Sequence, residues 1–326
     1  MPLARILALT LALAVAPPAR ADFPETLRDH ILPGVAAFRD ATAALAEAAT
    51  TGCDPQALRP PYQAAFDAWM AISHLRIGPA EEDGRALAIA FWPDPKGLGW
   101  KQQQALLTGD PAALEPQAFA RQSVAARGLF GLERLLYPTE PLPADPCPLI
   151  RATTSDLARM AAEIDAGWTG GYAKAMLTAG APGNTLFLGG PEVRQALFTL
   201  LYAGLEFDGD QRLGRPMGEP SRATPAKAEA IASGRSLRNV LISLQSLRGM
   251  LVSLTPDAPR TVAAFDHAIA LAEGLDDPVF AGVATPEGRL KVEILQQAIS
   301  HLREVALEEA APELDVGIGF NAADGD

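Results

Sequence analysis

The chain has 326 residues, of which 48% are hydrophobic and 20% are charged. Its 39 acidic residues outnumber its 27 basic ones and give a formal charge of −12 at pH 7. Nucleic acid and anionic lipid are excluded as expected partners, because both would repel such a chain. The charge fits simple solubility or attraction of cations, and the length suffices for one large core or two smaller ones.

Residues 1–21 have the pattern of a cleavable secretory signal. Arg5 precedes an apolar run of ten residues from Ile6 to Val15, and small residues end the segment at Ala21. The run is about half the length of a bilayer-spanning helix. The sequence therefore predicts an exported, periplasmic protein that begins near Asp22 and has no transmembrane segment. The leader contains two arginines and no acidic residue, so its removal leaves 25 basic and 39 acidic residues and a formal charge of −14.

The two cysteines predict a disulfide bond. Cys53 and Cys147 each lie in a segment rich in Pro and Asp, which is typical of a turn. In an oxidising compartment an even pair of loop cysteines is expected to be bonded. A metal site is disfavoured, because it would have only two thiolates.

Apolar residues recur at helical spacing along almost the whole mature chain, which predicts an all-α fold. Pro and Gly divide the chain into about eight main helices, and the break at 181–184 separates four from four. We therefore expect two packed four-helix bundles, residues 22–180 and 186–311, followed by a C-terminal tail, 312–326. Residues 78–118 and 208–225 are predicted to be irregular, and segments of that length often serve function. The predicted helices are 25–50, 55–77, 119–136, 150–179, 187–207, 226–254, 259–275 and 285–311.

Four segments carry a resemblance to a known family. Residues 126–136 read Ala-Arg-Gly-Leu-Phe-Gly-Leu-Glu-Arg-Leu-Leu, residues 210–218 and 233–237 contain further family-like runs, and the tail 317–326 has a Gly-Phe-Asn…Asp-Gly-Asp pattern. In this order they resemble the imelysin family, and the resemblance spans nearly all of an imelysin-like domain, 22–326. It implies an exported helical protein associated with iron acquisition, in a family first described as metallopeptidases.

The chain departs from the family motif at one position. The family's Gly-x-His-x-x-Glu corresponds to Gly128, Phe130 and Glu133, so phenylalanine stands where the histidine is expected. A phenyl ring can neither ligate a metal nor move a proton. The chain resembles a subgroup that keeps the fold without the motif histidine, and imelysin-type peptidase activity is doubtful.

Glu133 and His74 are the candidate metal ligands. Glu133 stands among leucines of a predicted helix, so its carboxylate needs either a cation or an ion pair with Arg127, Arg134 or an arginine of another helix. His74 precedes the acidic run 81–83, and imidazole with carboxylates suits a divalent cation or iron. The alternative for His74 is a capping role at a helix C-terminus.

Two tryptophans mark a second candidate binding feature. Trp92 and Trp100 lie in a Pro- and Gly-rich segment that is predicted to be a loop. Exposed aromatic side chains on a loop favour recognition of a ligand or partner. The alternative is a lid whose tryptophans fill the groove between helices. The His-x-x-Glu sequence at His301 and Glu304 lacks the motif glycine and is interpreted as a surface pair.

These observations predict an exported imelysin-like binding protein, non-catalytic and associated with iron or metal uptake, with its site in the groove between the bundles. Its expected partner is an iron or metal ligand, or another exported protein, and any cofactor is expected to be a divalent metal or iron. One alternative is a metal-dependent peptidase in which His74 replaces the motif histidine. Another is a structural protein of an exported complex.

Overall fold

The computed structural model describes residues 22–317, and the predicted leader 1–21 and the last nine residues of the tail lie outside it. The described residues form helices and turns without a β-strand, apart from an isolated bridge between Glu219 and Arg222. The all-α prediction is confirmed. None of the helices in this part of the chain combines the length and apolar character needed to cross a bilayer.

The first half is built on four helices that enclose one core. These are α1 (Leu32–Thr51), α2 (Pro55–Met70), α4 (Gly128–Leu136) and α5 (Cys147–Gly167), while α3 (Leu98–Thr108) packs outside them against α4. The helix α1 contacts both α2 and α5, and α4 contacts the same two helices. The buried residues of α1 recur every three or four positions, which gives this helix a single buried face. They are Val35, Phe38, Thr42, Leu45 and Ala49.

The second half repeats this arrangement. It contains α6 (Gly190–Glu206), α7 (Ser236–Leu254), α8 (Pro259–Glu273) and α9 (Pro286–Val305). The helix α7 packs against α6 and α8, and α9 packs against the same two helices. Two sets of four helices are thus present, and α7 joins them by contacting α2 of the first half. The boundaries of the two bundles as domains stay a prediction.

Several predicted helix limits were wrong. The third predicted helix, 119–136, is broken into short turns until Gly128, where a φ of +67° begins α4. The segment 78–118, predicted to be irregular, contains α3 and the short helix Arg85–Ile89. The other segment, 208–225, starts with the π-helical turn Phe207–Leu213 that continues α6. A second π-helical turn, Leu27–Ile31, leads into α1.

The predicted disulfide is confirmed. Cys53 and Cys147 are bonded across a sequence separation of 94 residues, with their Cα atoms 5.3 Å apart. Cys53 follows the end of α1 and Cys147 begins α5. The bond therefore joins two helices that also pack along their length.

Candidate functional site

A cavity of about 470 Å³ lies between the two halves. The first half contributes Trp69, His74 and Trp92 to its lining, and the second half contributes Phe207 and Arg212. More of the lining surface is apolar than polar, although about half of the lining residues have polar or charged side chains. Binding sites for small molecules combine apolar walls with polar groups that orient the ligand.

His74 reaches the cavity from the turn that follows α2. Its side chain is only 5% exposed, because α6 approaches closely at Gly204, where a Cβ would lie 3.2 Å from the Cβ of His74. Its Nε2 lies 3.1 Å from Nε2 of His30, and its buried Nδ1 has no hydrogen-bond partner. Burial, together with the nearby His30 and Arg212, lowers the pKa of His74 well below its usual value, so the ring is neutral at pH 7.

Arg212 is a buried cation of the lining. Its Nη1 donates to Oδ1 of Asp208 at 2.5 Å and its Nε donates to Oε2 of Glu229 at 2.8 Å. The guanidinium carbon also lies 4.8 Å from the centre of the Phe207 ring. Two carboxylates therefore balance one buried cation. Burial raises the pKa of Asp208 to about 6 despite the opposing effect of Arg212.

The buried polar network continues from the cavity into the contact between the halves. Glu229 accepts a hydrogen bond from Nδ2 of Asn239 at 2.8 Å, and Asn239 accepts one from Nε of Arg235 at 2.7 Å. Arg235 then donates to Asp67 at 2.8 Å and to Gln63 at 2.5 Å, both on α2. A chain of hydrogen bonds thus connects the second half to the first.

The motif segment lies in the core of the first half. Phe130 is 5% exposed and packs edge-on against Phe66 with ring centres 5.4 Å apart. Glu133 accepts two hydrogen bonds from Ser233, from the backbone N–H at 2.9 Å and from the hydroxyl at 2.6 Å. Burial raises the pKa of the Glu133 carboxyl, while the hydrogen bonds from Ser233 and the charges of Arg134 and Arg235 oppose this effect.

The arginine partners predicted for Glu133 are engaged elsewhere. Arg127 pairs with Asp156 at 2.9 Å, and Arg134 donates to Gln103 at 2.7 Å. The partner of Glu133 is instead a serine one hundred residues later in the chain. The prediction of an ion pair was therefore wrong in its partner, although a structural contact is present.

The motif position does not suit a metal ion. Phe130 offers no donor atom, and one oxygen of Glu133 already accepts two hydrogen bonds. Across residues 22–317 there is no group of three or more His, Cys, Asp or Glu side chains placed to hold a metal. Glu133 and His74 bond to different partners, and a metal ion shared by these two residues stays a prediction.

The two tryptophans belong to different sites. Trp92 lines the cavity between the halves, where its ring packs edge-on against Phe207 at 6.1 Å. Trp100 lies on α3, not in a loop, and lines a smaller cavity of about 180 Å³ with Tyr137 and Glu140. Both side chains are partly buried.

Sequence reasoning missed most of the polar groups around the cavity. No binding role was predicted for His30, Arg212, Asp208, Glu229 or Arg235. The spacing of Asp208 and Arg212, four residues apart, was a usable signal, because such pairs share a helix face. The contacts of Glu229 and Arg235 depend on tertiary packing and left no comparable pattern.

The fold is similar to that of solved structures. An imelysin-like protein from Psychrobacter arcticus 273-4 superposes with a TM-score of 0.76 at 20% identity, covering 91% of this chain and 98% of that one. A protein from Parabacteroides distasonis ATCC 8503, described as an iron-regulated protein A precursor, superposes with a TM-score of 0.68 at 15% identity, covering 90% and 96%. No curated protein matches the sequence. The imelysin family profile, peptidase M75, matches residues 31–306, which is most of the chain. This protein belongs to the imelysin family.

Proposed function

We propose that this protein is an exported, periplasmic binding protein of iron or metal acquisition that holds a small ligand in the cavity between its halves and does not cleave peptides. The cavity is the observation that carries the proposal. Trp69, Trp92 and Phe207 offer aromatic faces to a flat or apolar ligand. His74 is buried in the lining with one ring nitrogen unpaired, so a ligand that bonds to it would satisfy a polar group that otherwise destabilises the site.

The charges of the cavity define the ligand further. Arg212 is matched by Asp208 and Glu229, and Arg76 at the cavity pairs with Glu81 at 2.5 Å. A free anion would therefore meet no unbalanced positive charge. A neutral or cationic ligand, or a metal complex with an aromatic chelator, suits this lining better.

The association with iron rests on comparison. The similar protein from Parabacteroides distasonis is described as an iron-regulated protein A precursor. The resemblance found in the sequence pointed the same way. Nothing in the cavity lining itself selects iron.

Export and the lack of peptidase activity rest on the sequence and on the motif contacts. The pattern of residues 1–21 supports a cleaved leader, and the disulfide suits an oxidising compartment. The packing of the Phe130 ring and the hydrogen bond to the Glu133 carboxylate support a structural role for these motif residues.

A ligand screen tests the binding proposal. Purified mature protein is melted with and without a ferric trihydroxamate complex, which is neutral, and a ferrous tris-bipyridyl complex, which is cationic and has an aromatic chelator, since a ligand that binds only the folded state raises the melting temperature. We expect at least one of them to do so. Trp92→Ala should abolish the shift, and the matched variant Trp100→Ala, altered in the smaller cavity, should retain it. A shift lost equally in both variants, or seen with no compound, contradicts the proposed site.

Peptidase assays address the competing function. We expect no cleavage of casein or short peptides with or without added zinc or iron. Metal-dependent cleavage that disappears on Glu133→Ala would favour the peptidase alternative.

Fractionation of expressing cells, with sequencing of the mature N-terminus, checks export and the predicted start near Asp22.

A further inference from the structure

Two histidines that are 44 residues apart in sequence meet beside the cavity. His30 lies in the π-helical turn before α1, and His74 lies in the turn after α2. Their Nε2 atoms are 3.1 Å apart, and their ring centres are 5.2 Å apart with a tilt of 38° between the planes. The two nitrogens that approach each other are therefore the Nε2 atoms of both rings.

This separation suits two nitrogens bound to one metal ion. Zinc–imidazole bonds are about 2.0–2.1 Å long, so neighbouring nitrogens of a tetrahedral or octahedral ion lie roughly 2.9–3.4 Å apart. We propose that His30 and His74 chelate one divalent transition-metal ion through their Nε2 atoms. Imidazole selects zinc, copper, nickel and iron over magnesium and calcium, which prefer oxygen ligands.

The protonation of the two rings supports chelation. Burial lowers the pKa of His30 to about 4 and that of His74 well below its usual range. Both rings are therefore neutral in the periplasmic pH range, and chelation requires only that the proton of one Nε2 move to Nδ1 of its own ring, so that both Nε2 lone pairs are free. Metal ligands must be deprotonated in this way before they can bind.

The surroundings accept a cation. The charge of Arg212 acts on His74, and this charge is balanced by Asp208 and Glu229. On the side of α7, His30 faces Gly249, whose Cβ position is 3.7 Å from Nδ1, so no side chain crowds the ring there. His30 remains partly exposed, which lets water or a ligand occupy the other coordination positions. The neighbouring Asp29 is engaged by Arg28.

A simple N–H···N hydrogen bond would show the same distance, so the test must separate the two. Mature, disulfide-bonded protein is stripped with chelator and titrated with Zn²⁺, Cu²⁺ and Ni²⁺ by calorimetry. We expect one ion per chain, and an electron paramagnetic resonance spectrum of the Cu²⁺ form with coupling to two imidazole nitrogens.

Variants assign the ligands. His30→Gln should weaken binding at least tenfold, while its circular dichroism and its melting temperature at pH 7 in chelator stay close to those of the parent. His74→Gln should also weaken metal binding at least tenfold, and circular dichroism checks that this variant is folded. The exposed histidines His267 and His301 serve as matched controls, and His267→Gln and His301→Gln should bind like the parent. Binding that survives His30→Gln, or is lost in either control, overturns the proposal.

The chelate stands independently of the ligand proposed for the cavity. A protein that binds the metal but none of the iron complexes would contradict only the proposed function. A protein that binds an iron complex without needing His30 would contradict only the chelate.

Discussion

Gly128 occupies a backbone position that a larger residue cannot adopt easily. Its φ is +67°, and an added Cβ would lie 2.2 Å from the carbonyl oxygen of Ala88 and 2.3 Å from that of Ile89. The glycine of the motif therefore has a structural purpose that persists without the histidine. The absence of a side chain at Gly128 lets α4 start directly against the backbone of the short helix Arg85–Ile89.

We expect Gly128→Ala to destabilise the protein more than Gly234→Ala. Gly234 has a similar φ of +72° but open space around its Cβ position, so alanine there costs only the left-handed backbone strain, about 1–2 kcal/mol. At Gly128 the clash with two carbonyl groups should add about 1–3 kcal/mol. Urea denaturation of both variants measures the difference. Equal losses would show that the backbone at 88–89 moves away freely.

Glu133 is the second motif residue with a structural contact. In Glu133→Ala the backbone N–H and hydroxyl of Ser233 lose their acceptor, which should lower the free energy of unfolding by about 1–3 kcal/mol. The loss should be the same in chelator and in added zinc or iron. A double-mutant cycle with Ser233→Ala should give a non-zero coupling energy, since the two side chains are bonded. A variant as stable as the parent in chelator would argue against this structural role.

At the scale of the elements, the disulfide closes a long loop between α1 and α5. Replacing both cysteines by serine removes this constraint on the unfolded chain, and for a separation of 94 residues the loss should be about 4–5 kcal/mol. Chemical denaturation measures it. Thiol titration of the unreduced, unfolded parent should find no free thiol. Two free thiols would show that the bond does not form in the purified protein.

Helical periodicity predicted most of the long helices, because each has one buried face. The buried residues Val240, Leu244, Leu247 and Leu251 lie on α7, which ends at Leu254 as predicted but begins at Ser236, ten residues after the predicted start. The start of α4 could not be predicted in the same way, because the left-handed φ of Gly128 is a response to the neighbouring backbone. Trp100 was assigned to a loop because of the prolines and glycines before it, although α3 begins two residues earlier at Leu98.

The candidate site was less predictable than the helices. His74 and Trp92 were selected from the sequence, and both line the cavity. The contact of His74 with His30 joins residues on different elements, and neither position has a local pattern that marks the other. The same holds for Glu133 and Ser233, which are separated by one hundred residues. Long-range partners of this kind require the packing of the two halves to be known.

At the scale of the whole molecule, a buried arginine connects the two halves. Arg235 is 1% exposed and bonds to Asp67 and Gln63 across the contact. We expect Arg235→Ala to cost about 2–4 kcal/mol, because it leaves the side-chain oxygens of Gln63 and Asn239 without this donor, while Asp67 keeps its bonds from Arg238. Arg248→Ala provides the control. Its pair with Asp266 is largely exposed, so its loss should cost at most about 1 kcal/mol. Similar unfolding midpoints in urea for the two variants would contradict a structural role of Arg235 between the halves.

The stability of the molecule should also depend on pH through its buried histidines. The pKa of His30 is about 4 in the folded protein, against 6.5 for the free side chain, and the pKa of His74 is also lowered. A depressed pKa means that the unfolded chain binds the proton more readily, so this stability is complete above pH 6.5 and is lost as the pH falls toward 4. Asp208 acts in the opposite direction. Its pKa is raised from 3.8 to about 6, so its contribution is lost as the pH rises through 6 and returns on acidification.

Because two histidines oppose one aspartate, we expect a net loss of stability between pH 6.5 and pH 4. His30→Gln should flatten this decline by up to about 3 kcal/mol, the amount that corresponds to the pKa shift of His30. Asp208→Asn should instead make the decline steeper, since it removes the compensating group. Urea denaturation at half-unit pH steps in chelator measures all three profiles without interference from bound metal. If the profile of His30→Gln runs parallel to that of the parent, the buried His30 ring does not control the acid sensitivity. Protonation of other groups then causes the loss of stability.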